Sequence, residues 1–297
     1  MKKILTTASY LIGFGALSLQ ASLLVYEGNN YGGVDLNSMA GITTNATGLT
    51  GDYSQTFASG GLTRYKEAGL SFGSNFLSTS GGKVLMYAPS GYVTLNINLD
   101  VSAVSGTLYS SYLGQMTSIV SNGLFAQRVE KISDGVQSFV SELDGRNVTS
   151  GPAVAYGNVT STTVDGPIVA DETYLVLARF TNVGGVSGGV ADQFVFNLDD
   201  YDSWFTAGAE EGNLGTYATF TASNSLGTQR DFSSLSKIQY STSPLGGGQE
   251  SGYIDELRYG TTLADVVAVP EPSSLLLMAG GMLLVGFGAI RGRSNRA

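Results

Sequence analysis

Apolar and polar residues alternate along much of this chain, in short runs punctuated by glycine. The clearest run is Tyr92 to Leu99, with Val93, Leu95, Ile97 and Leu99 on one side and Tyr92, Thr94, Asn96 and Asn98 on the other. Such alternation predicts a strand with one face on a core. Thr173 to Phe180 reads differently. Its sequence Tyr-Leu-Val-Leu-Ala is almost continuously apolar, as in a central strand covered on both faces. Further strands are predicted at Leu23 to Gly28, Leu70 to Leu77, Gly106 to Met116, Leu124 to Glu130, Val136 to Leu143 and Val154 to Thr163. Others follow at Asp192 to Leu198, Thr216 to Thr221, Leu235 to Ser241 and Gly252 to Tyr259. Asn29 to Ser59 reads as loops with one or two short strands, and Met116 to Phe125 fits a short helix as well as a strand.

Turn chemistry agrees with this rhythm. Ser133-Asp134-Gly135 separates two runs and suits a hairpin, because Asp-Gly tolerates positive φ. Gly184 to Gly189 separates two others. No repeat of fixed period is visible, which argues against a propeller or solenoid. About a dozen short strands at this spacing predict an all-β fold of two packed antiparallel sheets. Asp199-Asp200-Tyr201-Asp202-Ser203-Trp204 interrupts the strands and is read as an acidic, aromatic loop holding the single tryptophan.

The two ends depart from the pattern. Lys2 and Lys3 precede an uncharged stretch from Ile4 to Leu19, and Ala21 offers a small residue for cleavage. This is the layout of a secretory signal peptide over residues 1–21, with Leu19 leaving room for the cut to shift by a residue or two. At the other end, Pro270 and Pro272 stop any helix or ladder and leave an extended dipeptide around Glu271. An uncharged apolar run from Leu275 to Ile290 follows, near the ~17 to 25 residues that cross a bilayer. Arg291, Arg293 and Arg296 close the chain and place that end on the cytoplasmic side.

Pro270-Glu271-Pro272, the single apolar span and the closing arginines resemble the PEP-CTERM sorting signal of exported bacterial proteins. The resemblance covers residues 268–297 and implies that an exosortase-type membrane protease recognises the Pro-Glu-Pro and removes the helix. The protein would then pass to the cell surface or an extracellular polysaccharide matrix. An uncut C-terminal anchor has the same orientation and differs only in whether the helix persists.

Composition narrows the chemistry of the body, residues 22–267. Cysteine and histidine are both absent. Disulfides, thiolate metal sites, cysteine nucleophiles and every Ser-His-Asp arrangement are thereby excluded. A net charge of -9 leaves no basic surface for nucleic acid. The 41 glycines, 16 tyrosines and 13 phenylalanines, with only 13% charged residues, suit an exported β-rich protein with many turns.

Leu24-Val25-Tyr26-Glu27-Gly28, Tyr174 to Phe180 and Tyr253-Ile254-Asp255-Glu256-Leu257-Arg258-Tyr259-Gly260 resemble the concanavalin A-like, laminin-G-like jelly rolls of bacterial surface proteins. That resemblance implies a sandwich whose final strand lies beside the first. It implies fold more than activity, since the same architecture hosts lectins, glycosidases and adhesive modules.

Candidate chemistry is sparse. A glycosidase needs two carboxyl groups ~5 to 9.5 Å apart across a sugar. The Glu-x-Asp-x-x-Glu triplet of glucanases of this fold does not occur. Glu142 and Asp144 come nearest, but Gly145-Arg146-Asn147 follows and reads as a turn, so a strand end is expected there; Glu210-Glu211 reads as the polar start of a loop. Asp199, Asp200 and Asp202 crowd three carboxylates into four positions, with Asn197 and Asn213 as further oxygens, and form the candidate calcium site. Tyr201, Trp204 and Asp202 have the residue types of a sugar platform, although aromatic clusters in sandwiches are more often core. Asp255 and Glu256 are expected on alternate faces, with Asp255 bonding a neighbouring loop. The leading reading is a non-catalytic structural or adhesive protein of the envelope. Its alternatives are a calcium-assisted carbohydrate-binding module and a glycoside hydrolase.

Overall fold

The computed structural model describes residues 23–269 except 33–34, 58–59, 90–91, 102–103, 119–122, 131–136, 145–152, 157–158, 161–167, 186–188, 226–235 and 245–249. The expected signal peptide and C-terminal apolar helix lie outside the described residues. Among those described, no helix is long and apolar enough to cross a membrane.

Fifteen strands are described. They are β1 (Leu23–Glu27), β2 (Leu49–Phe57), β3 (Leu62–Lys66), β4 (Lys83–Ala88), β5 (Val93–Leu99), β6 (Gly106–Ser118), β7 (Gly123–Glu130) and β8 (Gln137–Asp144). The chain continues with β9 (Ala153–Tyr156), β10 (Val159–Thr160), β11 (Thr173–Val183), β12 (Val190–Phe196), β13 (Phe220–Ser225), β14 (Lys237–Pro244) and β15 (Glu250–Gly260). Two helices, α1 (Leu198–Thr206) and α2 (Leu214–Tyr217), lie between β12 and β13.

The strands form two antiparallel sheets, the sandwich expected from the period-two pattern. Sheet I runs β13-β12-β11-β6-β15-β4-β3, with β1 also paired to β15, and sheet II runs β10-β9-β8-β7-β14-β5-β2. The final strand therefore lies beside the first, Leu23 opposite Gly260 and Glu27 opposite Leu257.

Alternation decides which side chains fill the space between the sheets. Val93, Leu95 and Ile97 of β5, Ile238 and Tyr240 of β14, and Leu108, Tyr112 and Met116 of β6 all point into this inner core. In β11 both parities are apolar, and both are buried. Tyr174, Val176, Ala178 and Phe180 enter the inner core, while Leu175 and Leu177 face away from it. These outward residues join Leu113, Phe194 and Phe196 in a second, outer core on sheet I. Polar substitution of Leu175 or Leu177 on one side, or of Val176 or Ala178 on the other, would place a polar group in a core.

What covers that outer face departs from the sequence reading. Leu70 to Leu77 is not a strand. Leu70, Phe72 and Phe76 mimic strand alternation, but they lie in an irregular segment whose apolar side chains dock on sheet I. Two strands not expected from the sequence, β3 and β4, flank this segment. The predicted loop at 199–204 is instead helix α1, whose Tyr201 and Trp204 are fully buried against the same face. Met116 to Phe125 is strand where it is described, ending β6 and beginning β7.

Candidate functional site

Helix α1 carries the body's predicted ligand residues. Asn197 is the N-cap. Its side-chain oxygen accepts the Asp200 amide at 2.8 Å, and Asp199 and Asp200 occupy the first turn, where the helix dipole favours negative charge. Spacings of three and four put Tyr201, Trp204 and Phe205 together on the side that meets sheet I. Tyr201 packs edge-on against Phe72, Phe76 and Phe196, and Trp204 lies 5.8 Å from Phe196. The indole N–H donates to the Glu210 carbonyl at 3.0 Å. Tyr201 and Trp204 are each 0% exposed, so neither ring offers a face to a sugar. Burial raises the Tyr201 hydroxyl well above the usual phenol range.

The three aspartates do not converge either. Asp200 accepts the Thr219 hydroxyl at 2.6 Å, and Asp202 accepts the Asn75 amide at 2.9 Å. The Asp200 and Asp202 carboxylates thus tie α1 to different neighbours, and Asn197 is spent on the cap. Among the described residues, no group of three acidic side chains is placed to hold a metal ion. These side chains hold a lid on the outer core, which is the structural work that their exposure in sequence concealed.

Of the other candidates, Asp144 is the last residue of β8 and Glu142 sits opposite Ala126 and Ala153, so the pair does end a strand. Glu210 caps a single 3-10 turn, and Glu211 pairs with Arg179 at 2.9 Å. Arg179 also binds Asp192 at 2.6 Å. Pro270, Glu271, Pro272, Arg291 and Arg293 lie outside the described residues.

The densest polar constellation lies where the first and last strands meet. β15 carries a bulge between Asp255 and Arg258, with Glu256 at a φ of 53°. The extra residue switches the inward parity, from Ile254 before the bulge to Leu257 and Tyr259 after it. Asp255 and Glu256 consequently do not take opposite faces as expected; both reach the same 67–82 loop. Asp255 accepts the Leu70 amide at 2.8 Å, the Asn29 side-chain amide at 3.2 Å and the Glu256 amide at 2.8 Å. Glu256 accepts the Ser80 amide at 2.6 Å and pairs with Arg258 at 2.9 Å. Arg258 in turn lies over the Tyr26 ring.

Glu27, at the end of β1, completes the clasp. It accepts the Asn29 amide at 2.7 Å, Tyr31 at 2.5 Å, Tyr53 at 2.8 Å and Thr44 at 3.0 Å. Burial, reinforced by the Glu256 charge, pushes the Asp255 carboxyl up to about 8, against the donors that pull it down. Every oxygen in this cluster is occupied by a protein donor from a loop or strand. Its chemistry is therefore fastening, and it closes the sandwich along the β1–β15 seam.

The outer face of sheet II has the opposite character to that of sheet I. Thr94 and Asn96 on β5 sit in register with Ser241 and Gln239 on β14, and with Thr56 and Ser54 on β2. The Gln239 side-chain amide donates to Asn96 Oδ1 at 3.1 Å. Asn96, Gln239, Thr94 and Ser241 are buried at the centre of this patch, while Ser54, Thr56 and Asn98 are exposed around it. The Ser241 hydroxyl has no partner among the described residues. Arg128 is placed opposite Gln239 by the β14–β7 register. This face was legible in the Tyr92–Leu99 alternation, as a polar side without an assigned role. Amide and hydroxyl groups in adjacent rows are the group types that hydrogen-bond polyols.

Comparison with known proteins adds one sequence match. The PEP-CTERM protein-sorting motif matches residues 268–294. No protein of curated function matches the chain. Among solved structures, the chain is similar to peanut lectin with a nine-residue peptide (11% identity, 71% of this chain and 98% of that one, TM-score 0.39). It is also similar to a seed lectin of Lotus tetragonolobus (8% identity, 80% and 100% covered, TM-score 0.40). A β-glucanase of Bacillus licheniformis is a third neighbour (14% identity, 81% and 98% covered, TM-score 0.38). The matched motif spans Pro270, Glu271, Pro272, Arg291 and Arg293, and marks an exported protein sorted to the cell envelope or surface.

Proposed function

We propose that this chain is a non-catalytic protein of the cell surface or extracellular polysaccharide matrix, with a structural or adhesive role, delivered through its tail by an exosortase-type membrane protease. The observation that carries this reading is the continuity of body and signal: the sandwich is packed as far as Val269, and the sorting motif covers 268–294. Intact mass of the native protein, taken from membrane and extracellular fractions of its own cells, tests it. A mass ending near Pro272 in the extracellular fraction is expected. Retention of the whole chain in the cytoplasm would remove the reading, and a full-length chain in the membrane would replace the processed protein by a permanently anchored one.

A second reading is favoured by the polar outer face of sheet II. There, the exposed Ser54, Thr56 and Asn98, around the buried Asn96, Gln239, Thr94 and Ser241, supply a carbohydrate-binding surface for the matrix polysaccharide. Calorimetric titration of the protein with that polysaccharide, with and without calcium, is expected to give heat that Ser54→Ala together with Asn98→Ala abolishes. Heat unchanged in the double variant, or no heat at all, counts against this face. A calcium requirement would favour Asp199, Asp200 and Asp202, of which Asp200 must first leave Thr219 and Asp202 must leave Asn75 to bind the ion. A hydrolytic role on Glu142, Asp144, Glu210 or Glu211 would require product release that is lost when one of them is replaced.

A further inference from the structure

Beyond Gly260 the chain leaves sheet I and crosses back over its outer face. The Thr262 amide donates to Asp265 Oδ2 at 2.8 Å and the Asp265 amide to the Thr262 carbonyl at 3.2 Å, boxing in the single turn Leu263–Asp265. The amides of Val266 and Val267 both turn back to the Leu263 carbonyl at 3.1 Å, and both valine side chains are fully buried in the outer core. Ser111 on β6 donates to the Val266 carbonyl at 2.6 Å. Tyr201 on α1 donates to the Ala268 carbonyl at 3.4 Å, and Val269 packs on the same apolar cluster. Residues 261–269 are thus a seated strap, held by sheet, helix and core up to the residue before Pro270.

The strap leaves little chain for anything else. Only residues 270–274 separate its last anchored residue from the apolar run at Leu275, at most about 18 Å when extended. A segment threaded through a protease cleft must also be released from backbone bonds made elsewhere. Lifting the strap as far as Gly260 would free 261–269 and add about 30 Å of reach.

We propose that the 261–269 strap is a brake on removal of the tail: its contacts with Ser111, Tyr201 and the outer core hold the chain on the folded body up to the residue before Pro270, and the protease gains the motif when the strap lifts. This rests on the reading of the tail as the substrate of a membrane protease. The competent fraction of molecules then sets the processing rate, as it does for any ligand of a minor state.

The test is a pulse-chase in the native cells, following conversion of the full chain to the shortened form. An eight-residue Gly/Ser insertion between Val269 and Pro270 bypasses the strap and is expected to speed conversion about tenfold or more. Ser111→Ala removes one strap hydrogen bond and is expected to speed it about fivefold. Equal rates for all three chains would overturn the brake while leaving the tail a substrate. A tail that persists in every variant, the insertion included, would overturn the reading of the tail as a substrate and the brake with it. Hydrogen exchange of the purified full chain in detergent gives an independent readout. The Val266 and Val267 amides should exchange faster than those of Tyr253 and Ile254, and Ser111→Ala should accelerate only the former pair. Equal protection of the strap and β15 would mean that the strap does not open by itself, and would overturn the proposal.

Discussion

The two sheets of this sandwich treat their outer faces in opposite ways. Sheet I turns Leu113, Leu175, Leu177, Phe194 and Phe196 outward and then covers them with α1, the 70–76 segment and the 261–269 strap. Sheet II turns Thr94, Asn96, Gln239 and Ser241 outward, with exposed hydroxyl and amide groups around them. An apolar face must be buried by the chain's own elements, whereas a polar face can remain available to a ligand. The cluster richest in aromatic and acidic residues therefore lies on the covered face. Its rings fill a core, and its carboxylates hold the cover in place.

If this contrast is right, truncations on the two outer faces should differ in kind. The largest effect is expected from Trp204→Ala, which empties the centre of the outer core and should cost about 3 to 5 kcal/mol in urea unfolding. A loss below about 1 kcal/mol would mean that α1 is dispensable cover and the comparison fails.

Asp255→Asn comes next. It leaves a buried amide donor poorly matched and should cost about 1 to 3 kcal/mol at neutral pH. Its pH dependence is more specific. The folded carboxyl is raised to about 8 from 3.8, so between those values the native chain holds a proton that the unfolded chain has released. Native stability should fall as pH rises from about 4 to about 8 and level off above, and the Asn variant should lose that part of the slope. Thermal unfolding across this pH range would show it.

Asn197→Ala removes the cap that starts α1 and should cost about 1 kcal/mol, with hydrogen-exchange protection lost first in 200–203. The smallest effect is expected on sheet II. Asn96→Ala breaks one amide contact beside the exposed rim and should cost about 0.5 to 1 kcal/mol in the same unfolding assay. A loss as large as that of Trp204→Ala would show that the polar face also serves as core, and would erase the distinction between the two faces.

Much of the architecture was legible in residue periodicity. The period-two run in β5 and the continuous apolar run in β11 correctly separated a strand with one apolar side from one buried on both. The signal failed where a segment borrows a periodicity without the pairing. Leu70, Phe72 and Phe76 alternate like a strand because an extended chain lying on a sheet also presents every second residue to it. The 199–204 stretch misled through its composition. Asn197 before two acids, with Tyr201, Trp204 and Phe205 at helical spacing, is a complete helix-start pattern, but three aspartates in four positions resemble a loop. The bulge at Glu256 could not be read at all. Nothing local in Ile-Asp-Glu-Leu announces a left-handed residue; its partners, Ser80 and Arg258 for Glu256 and Leu70 and Asn29 for Asp255, come together only in the folded state. The polar face of sheet II was visible as a pattern, but its adjacency to Gln239 and Ser241 depends on a pairing between strands about 140 residues apart.

The position of β15 bears on when this protein can fold. It is the one described strand that joins the β6 side of sheet I to β4 and β1, so before it arrives sheet I exists only as separate parts. Its partners have been synthesised long before, and the closing contacts are among the most distant in the chain. A polypeptide crossing a membrane from its N-terminus onward would keep sheet I open until nearly all of the body had passed through. In such a passage the same connectivity would leave the parts of sheet I unjoined until β15 arrived. The clasp of Glu27, Asp255 and Glu256 would then form with only the strap and the tail left to follow.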